Sequence, residues 1–275
     1  MTATTTSALI RSNVTISGAA SPAPAMVFLH GLGSDQTSWH RLAPAFADRY
    51  QLVLLDLVGA GKSDTASYEY TKYASLNAHA DDLLAVLREL DLHEVIFVGH
   101  SVASMIGVLA AIKEPKRFGR LVLLAPSPRF VNDAGYVGGF EQKDIQELLA
   151  AMEANYYGWS ESMAPVMTDA NRPEIVMELT NSFFHTNPAI AQHFARVTFL
   201  SDHRADLPFL TTPALILQCA HDVIAPVAVG TYLLENLADS QLAVIDTPGH
   251  SAHLTAPGEV IREIEHFLQV APVFA

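Results

Sequence analysis

Short apolar runs recur along this chain and alternate with helical patterns, and this restricts the fold more than any other feature. The runs are four or five residues long and rich in Val, Ile and Leu, which is typical of strands buried on both faces. The leucines within 83–90 have helical spacing, and 103–112 is apolar nearly all round. We therefore predict an α/β fold, with a mostly parallel central sheet and helices on both faces. The predicted strands are Ala25–Leu29, Gln51–Leu55, Val95–Val98, Leu121–Leu124, Ala214–Leu217 and Leu242–Ile245.

The interval 127–201 interrupts this alternation, because it contains helical patterns and no clear strand. Helices are predicted at Asp144–Tyr157, Arg172–Phe184 and Pro188–Leu200. Strand patterns resume afterwards, so we predict a helical lid (127–201) inserted into a core formed by 1–126 and 202–275. Most large apolar side chains of the lid would form its own small core. The candidates for lining an apolar pocket are Phe130, Phe140, Trp159, Phe194 and Phe199.

The composition excludes several classes of protein. With 16 Lys and Arg against 29 Asp and Glu, the net charge is −13, so the chain lacks the basic surplus needed to bind nucleic acid or anionic lipid. The single cysteine excludes a disulfide scaffold and a cysteine-rich zinc site. No apolar run approaches the ~20 residues of a membrane span. Residues 1–9 lack the Lys or Arg of a secretory signal, so we expect a cytoplasmic protein.

A serine lies where a predicted buried strand runs into a predicted buried helix. The sequence Gly99-His-Ser-Val-Ala103 places Ser101 in the strand–turn–helix context of the G-x-S-x-G nucleophile elbow. A tight turn with close strand–helix packing needs small residues next to the serine, and Gly99 meets this need. Ala103 stands where the pattern has its second glycine, a change of one methyl group. We predict that Ser101 is a nucleophile.

A serine nucleophile needs a base, and the base needs a carboxylate to orient it. In enzymes with this elbow the chain order is Ser, Asp or Glu, then His. Asp222 and His250 each follow a predicted C-terminal strand, at the sheet edge where parallel α/β folds place their sites. Asp246 is the alternative acid, but it is too close in sequence to His250 to serve easily from a separate loop. His221 and His253 are alternative bases. The first adjoins Asp222, and the second begins or caps the last helix, so we favour His250.

The oxyanion of an acyl-transfer reaction needs two backbone N–H donors. One would come from Val102, directly after the nucleophile. The other would come from the loop His30-Gly-Leu-Gly33, which follows an early predicted strand, and we select the Leu32 N–H. Because the main chain donates, the side chains of Leu32 and Val102 are free to form the pocket floor.

Two other patterns resemble known sites and are set aside. Gly61-Lys-Ser63 resembles the end of a phosphate-binding P-loop, but Asp56 stands where that pattern needs a glycine. His93-Glu94 begins like a zinc-protease motif, but Phe97 stands where the second histidine belongs. We therefore predict no metal site and no cofactor.

Together these features resemble the α/β-hydrolase family across residues 20–270. Within it, the chain is similar to the bacterial RsbQ-like serine hydrolases and to the plant strigolactone and karrikin receptor hydrolases. The departures are Ala103 in the elbow and Ser251-Ala-His253 after the base. The similar segments include parts of the lid as well as the elbow: 99–106 (GHSVASMI), 127–133 (SPRFVND), 138–140 (GGF), 155–159 (NYYGW), 201–204 (SDHR) and 218–222 (QCAHD).

The resemblance implies a catalytic triad of Ser101, Asp222 and His250, and a lid of four helices over an apolar pocket. It also implies slow hydrolysis of a small ester or lactone-like ligand and signalling through a protein partner. In bacteria that partner would be a PAS-containing phosphatase acting upstream of sigma-B.

Our hypothesis is a cofactor-free serine hydrolase that cleaves a small apolar ester or lactone through an acyl-enzyme. The alternative is a ligand sensor with slow or single-turnover hydrolysis, which acts through that partner. Carbon–carbon hydrolase or haloperoxidase-like chemistry on the same triad stays open. A haloalkane dehalogenase is disfavoured, because its nucleophile is a carboxylate and the elbow here holds Ser101.

Overall fold

The computed structural model describes residues 7–270. Residues 1–6, on which the prediction of no secretory signal mostly rests, lie outside the described residues. Positions 271–275 of the predicted core also lie outside them. Within the described range, no helix has the length and apolar character needed to cross a membrane.

A seven-stranded sheet lies at the centre of the described chain. Its strands are β1 (Thr15–Gly18), β2 (Ala25–Leu29), β3 (Gln51–Leu55), β4 (Val95–His100), β5 (Phe118–Leu124), β6 (Ala214–His221) and β7 (Ser240–Pro248). They lie in the order β1-β3-β2-β4-β5-β6-β7. β1 is antiparallel to β3, and all other neighbouring pairs are parallel. The predicted mostly parallel sheet is therefore confirmed.

The edge strand β1 is absent from the predicted strands. All four of its residues are exposed, and it pairs only with β3. Ile16 is its one large apolar side chain, so no buried apolar run marks this segment as a strand.

Four of the ten α-helices in the described chain lie within 127–201, which we call the helical segment. The helices are α1 (Ala8–Arg11), α2 (Leu76–Glu89), α3 (Val102–Lys113), α4 (Gln142–Ala154), α5 (Tyr156–Met167), α6 (Pro173–His185), α7 (Pro188–Phe199), α8 (Val227–Asn236), α9 (Ala252–Thr255) and α10 (Pro257–Val270). The single helix predicted at Asp144–Tyr157 is wrong, because α4 ends at Ala154 and α5 begins at Tyr156. Asn155 separates them: its side chain accepts a hydrogen bond from the Gly158 N–H and caps the start of α5.

Alternate residues of the central strands pack into two apolar cores, one on each face of the sheet. Val27 and Phe97 belong to a core shared with α2, α3 and the helical segment. Met26 and Val98 belong to a second core shared with α9 and α10. Helices therefore cover both faces, as predicted, and the helical segment packs with only one of the two cores.

Candidate active site

The direction of the strand order reverses at β2. The chain places β3 on one side of β2 and then β4 on the other. The carboxyl ends of strands at such a reversal flank a crevice where open α/β folds bind ligands. Leu32 lies in the loop after β2 and Ser101 in the turn after β4, so both predicted groups lie at this point.

The turn between β4 and α3 holds Ser101 in a strained backbone conformation. Its φ is 56° and its ψ is −124°, and such a conformation costs on the order of 1–3 kcal/mol in a residue other than glycine. The surrounding structure maintains it, since the Ser101 N–H donates to the Leu124 carbonyl at 2.8 Å and Ser104 Oγ donates to the Gly99 carbonyl at 2.8 Å. A Cβ atom on Gly99 would lie 2.8 Å from the Ala103 carbonyl oxygen. Position 99 therefore requires glycine, whereas the Ala103 methyl is accommodated in the interior.

Ser101, His250 and Asp222 lie within hydrogen-bond distance of one another. His250 Nε2 is 2.7 Å from Ser101 Oγ, and His250 Nδ1 is 2.6 Å from Asp222 Oδ2. The side chains of His250 and Asp222 are both 0% exposed. The second carboxylate oxygen, Oδ1, accepts hydrogen bonds from the N–H groups of Ile224 and Ala225 at 2.8 and 3.1 Å. These two bonds fix the carboxylate, so it presents Oδ2 to the imidazole.

The alternative acid, Asp246, and the alternative bases, His221 and His253, lie in other surroundings. The Asp246 side chain is 90% exposed in β7, and its Oδ1 lies 3.7 Å from Nε2 of His221, which is itself 71% exposed. His253 is buried in α9, where its ring contacts the rings of Trp39 and His100. Within the described chain, none of the three alternatives is hydrogen-bonded to Ser101.

The loop 30–33, which we call the oxyanion loop, packs directly on the turn that holds the serine. A Cβ atom on Gly31 would lie 3.2 Å from Ser101 Cβ and 2.9 Å from His100 Nδ1, so this close approach requires glycine. Leu32 follows immediately. Val102 begins α3, and the first N–H groups of a helix have no acceptor within the helix. Both predicted oxyanion donors therefore lie next to Ser101, and their role stays a prediction.

The ring of Phe183 in α6 covers the oxyanion loop. Gly33 has a φ of +72°, and a Cβ atom there would lie 1.8 Å from Phe183 Cε1. Phe183 is fully buried, and its ring lies edge-on to Trp159 at 5.4 Å. The helical segment thus reaches the predicted site through Phe183, a residue that the sequence does not distinguish from the other aromatic residues of the segment.

We expect Gly33→Ala to destabilise the fold more than Gly135→Ala. Both glycines have a left-handed backbone, with φ of +72° and +75°, where a side chain costs about 1–2 kcal/mol. The methyl group at Gly33 would also collide with Phe183, adding about 1–3 kcal/mol, whereas no atom lies within 4 Å of the Cβ position at Gly135. Urea unfolding of both variants measures the difference. Equal losses would contradict the packing of Phe183 on Gly33.

The main chain of His250 is held from two sides. Its N–H donates to the Met167 carbonyl at the end of α5, at 2.9 Å, and its carbonyl oxygen lies 3.0 Å from His100 Nε2. The preceding Gly249 has a φ of +78°, and a Cβ atom there would lie 2.0 Å from the Thr168 carbonyl oxygen. These contacts join residues far apart in sequence, so the sequence does not predict the two main-chain partners of His250, Met167 and His100.

The five aromatic residues proposed as pocket lining fall into two groups. The rings of Phe130 and Phe140 both contact the ring of Phe199, with centroid distances of 5.0 and 6.4 Å. Phe194 lines a cleft with the oxyanion loop, and Trp159 contacts the α6 ring that covers this loop. These contacts connect the second group to the loop of the predicted oxyanion donor Leu32. The assignment of all five to a substrate pocket stays a prediction.

The Asp56 carboxylate binds the turn that resembles a P-loop. Oδ2 accepts hydrogen bonds from the Lys62 N–H at 2.9 Å and from Asn13 Nδ2 at 2.7 Å, and Oδ1 accepts one from the Gln36 N–H at 2.8 Å. Asp56 is 1% exposed. The turn at Gly61–Ser63 is thus bound to a carboxylate of the chain itself, so a phosphate in that position would meet a buried negative charge.

The sequence and the architecture match known proteins over most of the chain. Residues 24–257 match the family model described as alpha/beta hydrolase fold. The chain belongs to the α/β hydrolase family. This confirms, at the level of the family, the resemblance recognised in the sequence.

Two curated plant proteins and one solved structure are similar to this α/β hydrolase. It is 39% identical to strigolactone esterase RMS3 of Pisum sativum over 242 residues, which are 87% of this chain and 91% of the relative. It is 40% identical to karrikin insensitive 2 receptor IA of Petunia hybrida, over 88% of this chain and 90% of the relative. The structure of a hydrolase from Oleispira antarctica has a TM-score of 0.92 and 38% identity, covering 96% of this chain and 97% of the other.

Proposed function

We propose that this α/β hydrolase is a cofactor-free serine hydrolase, of the esterase or lactonase type, with Ser101, His250 and Asp222 as its triad. The observation that carries the proposal is the continuous path of hydrogen bonds from Asp222 through His250 to Ser101, with distances of 2.6 and 2.7 Å. In this arrangement an imidazole takes the proton of a serine hydroxyl and a carboxylate orients the imidazole.

In the proposed reaction, Ser101 Oγ attacks the carbonyl carbon of the substrate while its proton passes to His250 Nε2. Asp222 keeps a proton on Nδ1, so Nε2 is free to accept, and the carboxylate stabilises the imidazolium that forms. The N–H groups of Leu32 and Val102 hold the oxyanion, and loss of one such donor costs about 3 kcal/mol in other enzymes. His250 then protonates the leaving alcohol, and water cleaves the acyl-enzyme by the same proton transfers.

We propose a small apolar ester or lactone as the substrate, with the helical segment acting as a lid over the site. Phe183, Trp159 and Phe194 bring apolar surface towards the oxyanion loop. An unpaired charge is costly to bury against such surface, which favours an uncharged ligand. The relatives named strigolactone esterase and hydrolase support the hydrolysis of an ester bond.

Covalent labelling tests the proposed nucleophile. We expect the protein to hydrolyse p-nitrophenyl acetate, and a fluorophosphonate reagent to add once per chain and stop that hydrolysis, because the reagent reacts with an activated serine. Intact mass gives the stoichiometry, and peptide mapping should place the adduct on Ser101. Hydrolysis that continues in fully labelled protein, or an adduct on another serine, would overturn the proposal.

A ligand sensor is the second candidate, and the similarity to a protein named as a karrikin insensitive 2 receptor favours it. In this case hydrolysis would be slow or limited to one turnover, and the output would be contact with a protein partner. We propose a PAS-containing phosphatase as that partner, and a cytoplasmic location. The progress curve of the same assay distinguishes the candidates: linear multiple turnover favours a metabolic esterase, and a burst of about one product per chain followed by a stall favours the sensor.

A further inference from the structure

The imidazole of His100 lies between the two loops that would supply the base and the oxyanion donors. Its Nε2 donates to the carbonyl oxygen of His250 at 3.0 Å. Its Nδ1 lies at the surface of Gly31, where even a Cβ atom would come within 2.9 Å of it. His100 also directly precedes Ser101. One buried ring therefore touches the oxyanion loop and the His250 loop, and its own main chain leads into the serine turn.

His250 is held at three points by three different parts of the chain. Asp222 binds its ring, Met167 accepts its N–H, and His100 donates to its carbonyl oxygen. Without the His100 donor, a carbonyl of a fully buried residue would lose this partner, and such a loss favours rearrangement of the main chain. Rotation of the peptide plane that follows His250 would move the His250 ring relative to Ser101 Oγ.

The His100 ring makes this contact as a neutral imidazole. Burial, together with the neighbouring imidazoles of His253 and His250, holds the pKa of His100 well below its ordinary value. A neutral imidazole carries one proton, and the distance to the His250 carbonyl places it on Nε2. Nε2 is therefore the donor to the His250 carbonyl.

We infer that His100 is a positioning residue, which holds the main chain of His250 so that Nε2 stays aligned with Ser101 Oγ. This inference rests on the proposed function, because it gives His100 a role in the reaction of that triad. His100 acts through His250 and need not touch the substrate. Misplacement of a reacting group by about 1 Å lowers rates by about 100-fold, so loss of this contact has a measurable effect.

Two leucine substitutions form a matched pair for the test. His100→Leu removes the hydrogen bond to His250. His253→Leu makes the same chemical change in a neighbouring ring that is equally buried and makes no hydrogen bond to His250. We expect His100→Leu to lower kcat for p-nitrophenyl acetate about 10- to 100-fold with KM within about threefold, and His253→Leu to retain most of the kcat at a similar loss of stability.

Two amide substitutions keep the test valid if His100→Leu does not fold. A glutamine side chain carries its N–H donor near the position of Nε2, whereas the donor of asparagine stops near Nδ1. We expect His100→Gln to recover most of the kcat and His100→Asn to recover little. Equal kcat values for these two variants, or equal losses in the two leucine variants, would overturn the positioning role.

The Ser101→Ala variant separates this inference from the proposed function. If Ser101→Ala retains hydrolysis, the proposed function fails, and the inference fails with it. If Ser101→Ala abolishes hydrolysis while folded His100→Leu keeps the wild-type kcat, the positioning role alone is wrong.

Discussion

Replacement of Ser101 by alanine is expected to lower kcat for p-nitrophenyl acetate by about 10⁴- to 10⁶-fold, the range seen when the triad of a serine protease is disabled. The change removes Oγ, the atom 2.7 Å from His250 Nε2. The positive φ of residue 101 is no harder for alanine than for serine, and the Ser101 N–H keeps its acceptor. The variant should therefore fold. Steady-state kinetics and urea unfolding, measured on the same preparation, check both statements.

Ser160→Ala is the matched control for this experiment. Ser160 is also buried, and its Oγ donates to the Tyr156 carbonyl within α5 at 2.8 Å, away from the triad. We expect its kcat to stay close to that of the wild type. Substantial hydrolysis by folded Ser101→Ala, or an equal loss in Ser160→Ala, would show that Ser101 is not the nucleophile.

Replacement of Asp222 by asparagine is expected to lower kcat by about 10⁴-fold, as when the triad aspartate of a serine protease is changed in this way. The structure gives the reason. Oδ1 accepts the N–H groups of Ile224 and Ala225, so the asparagine oxygen takes that position and its NH₂ group faces His250 Nδ1. A donor there requires Nδ1 to be unprotonated and moves the imidazole proton to Nε2. Nε2 then can no longer accept the proton of Ser101.

Asp246→Asn is the control for Asp222→Asn, since it makes the same change at the alternative acid. Its side chain is almost fully exposed and faces His221, so its kcat should be close to that of the wild type. The ranking of the two variants decides between the carboxylates. A larger loss in Asp246→Asn would transfer the role of the acid to Asp246.

The features that could be predicted from the sequence are those whose signal is local. Five of the seven strands are buried along most of their length, so apolar runs mark them. The turn at Ser101 needs a small residue at Gly99 because a Cβ atom there would collide with Phe97 and Ala103, both within four residues of it. Asp222 and His250 follow their strands closely, and the parallel sheet brings all such positions to one edge.

The features that could not be predicted depend on contacts between distant parts of the chain. The break at Asn155 falls inside a continuous helical pattern, and its cap becomes evident only in the structure. Phe183 covers the oxyanion loop because it packs against Gly33, which lies 150 residues earlier in the chain. The His100 ring contacts two loops that are distant from it in sequence, at Gly31 and at the His250 carbonyl. Spacing along the sequence carries no information about such pairs.

The hydrogen bond between the His250 N–H and the Met167 carbonyl restricts how the substrate range of this protein can be redesigned. Chimaeras that exchange residues 127–201 for those of a relative would replace the acceptor of a buried N–H as well as the walls of the cleft. A graft whose α5 ends one residue out of register leaves that N–H unpaired, at a cost of about 1–3 kcal/mol, and removes the Thr168 carbonyl against which Gly249 packs. A graft that changes the specificity would therefore also displace His250, unless it keeps the last turn of α5 and Thr168 unchanged.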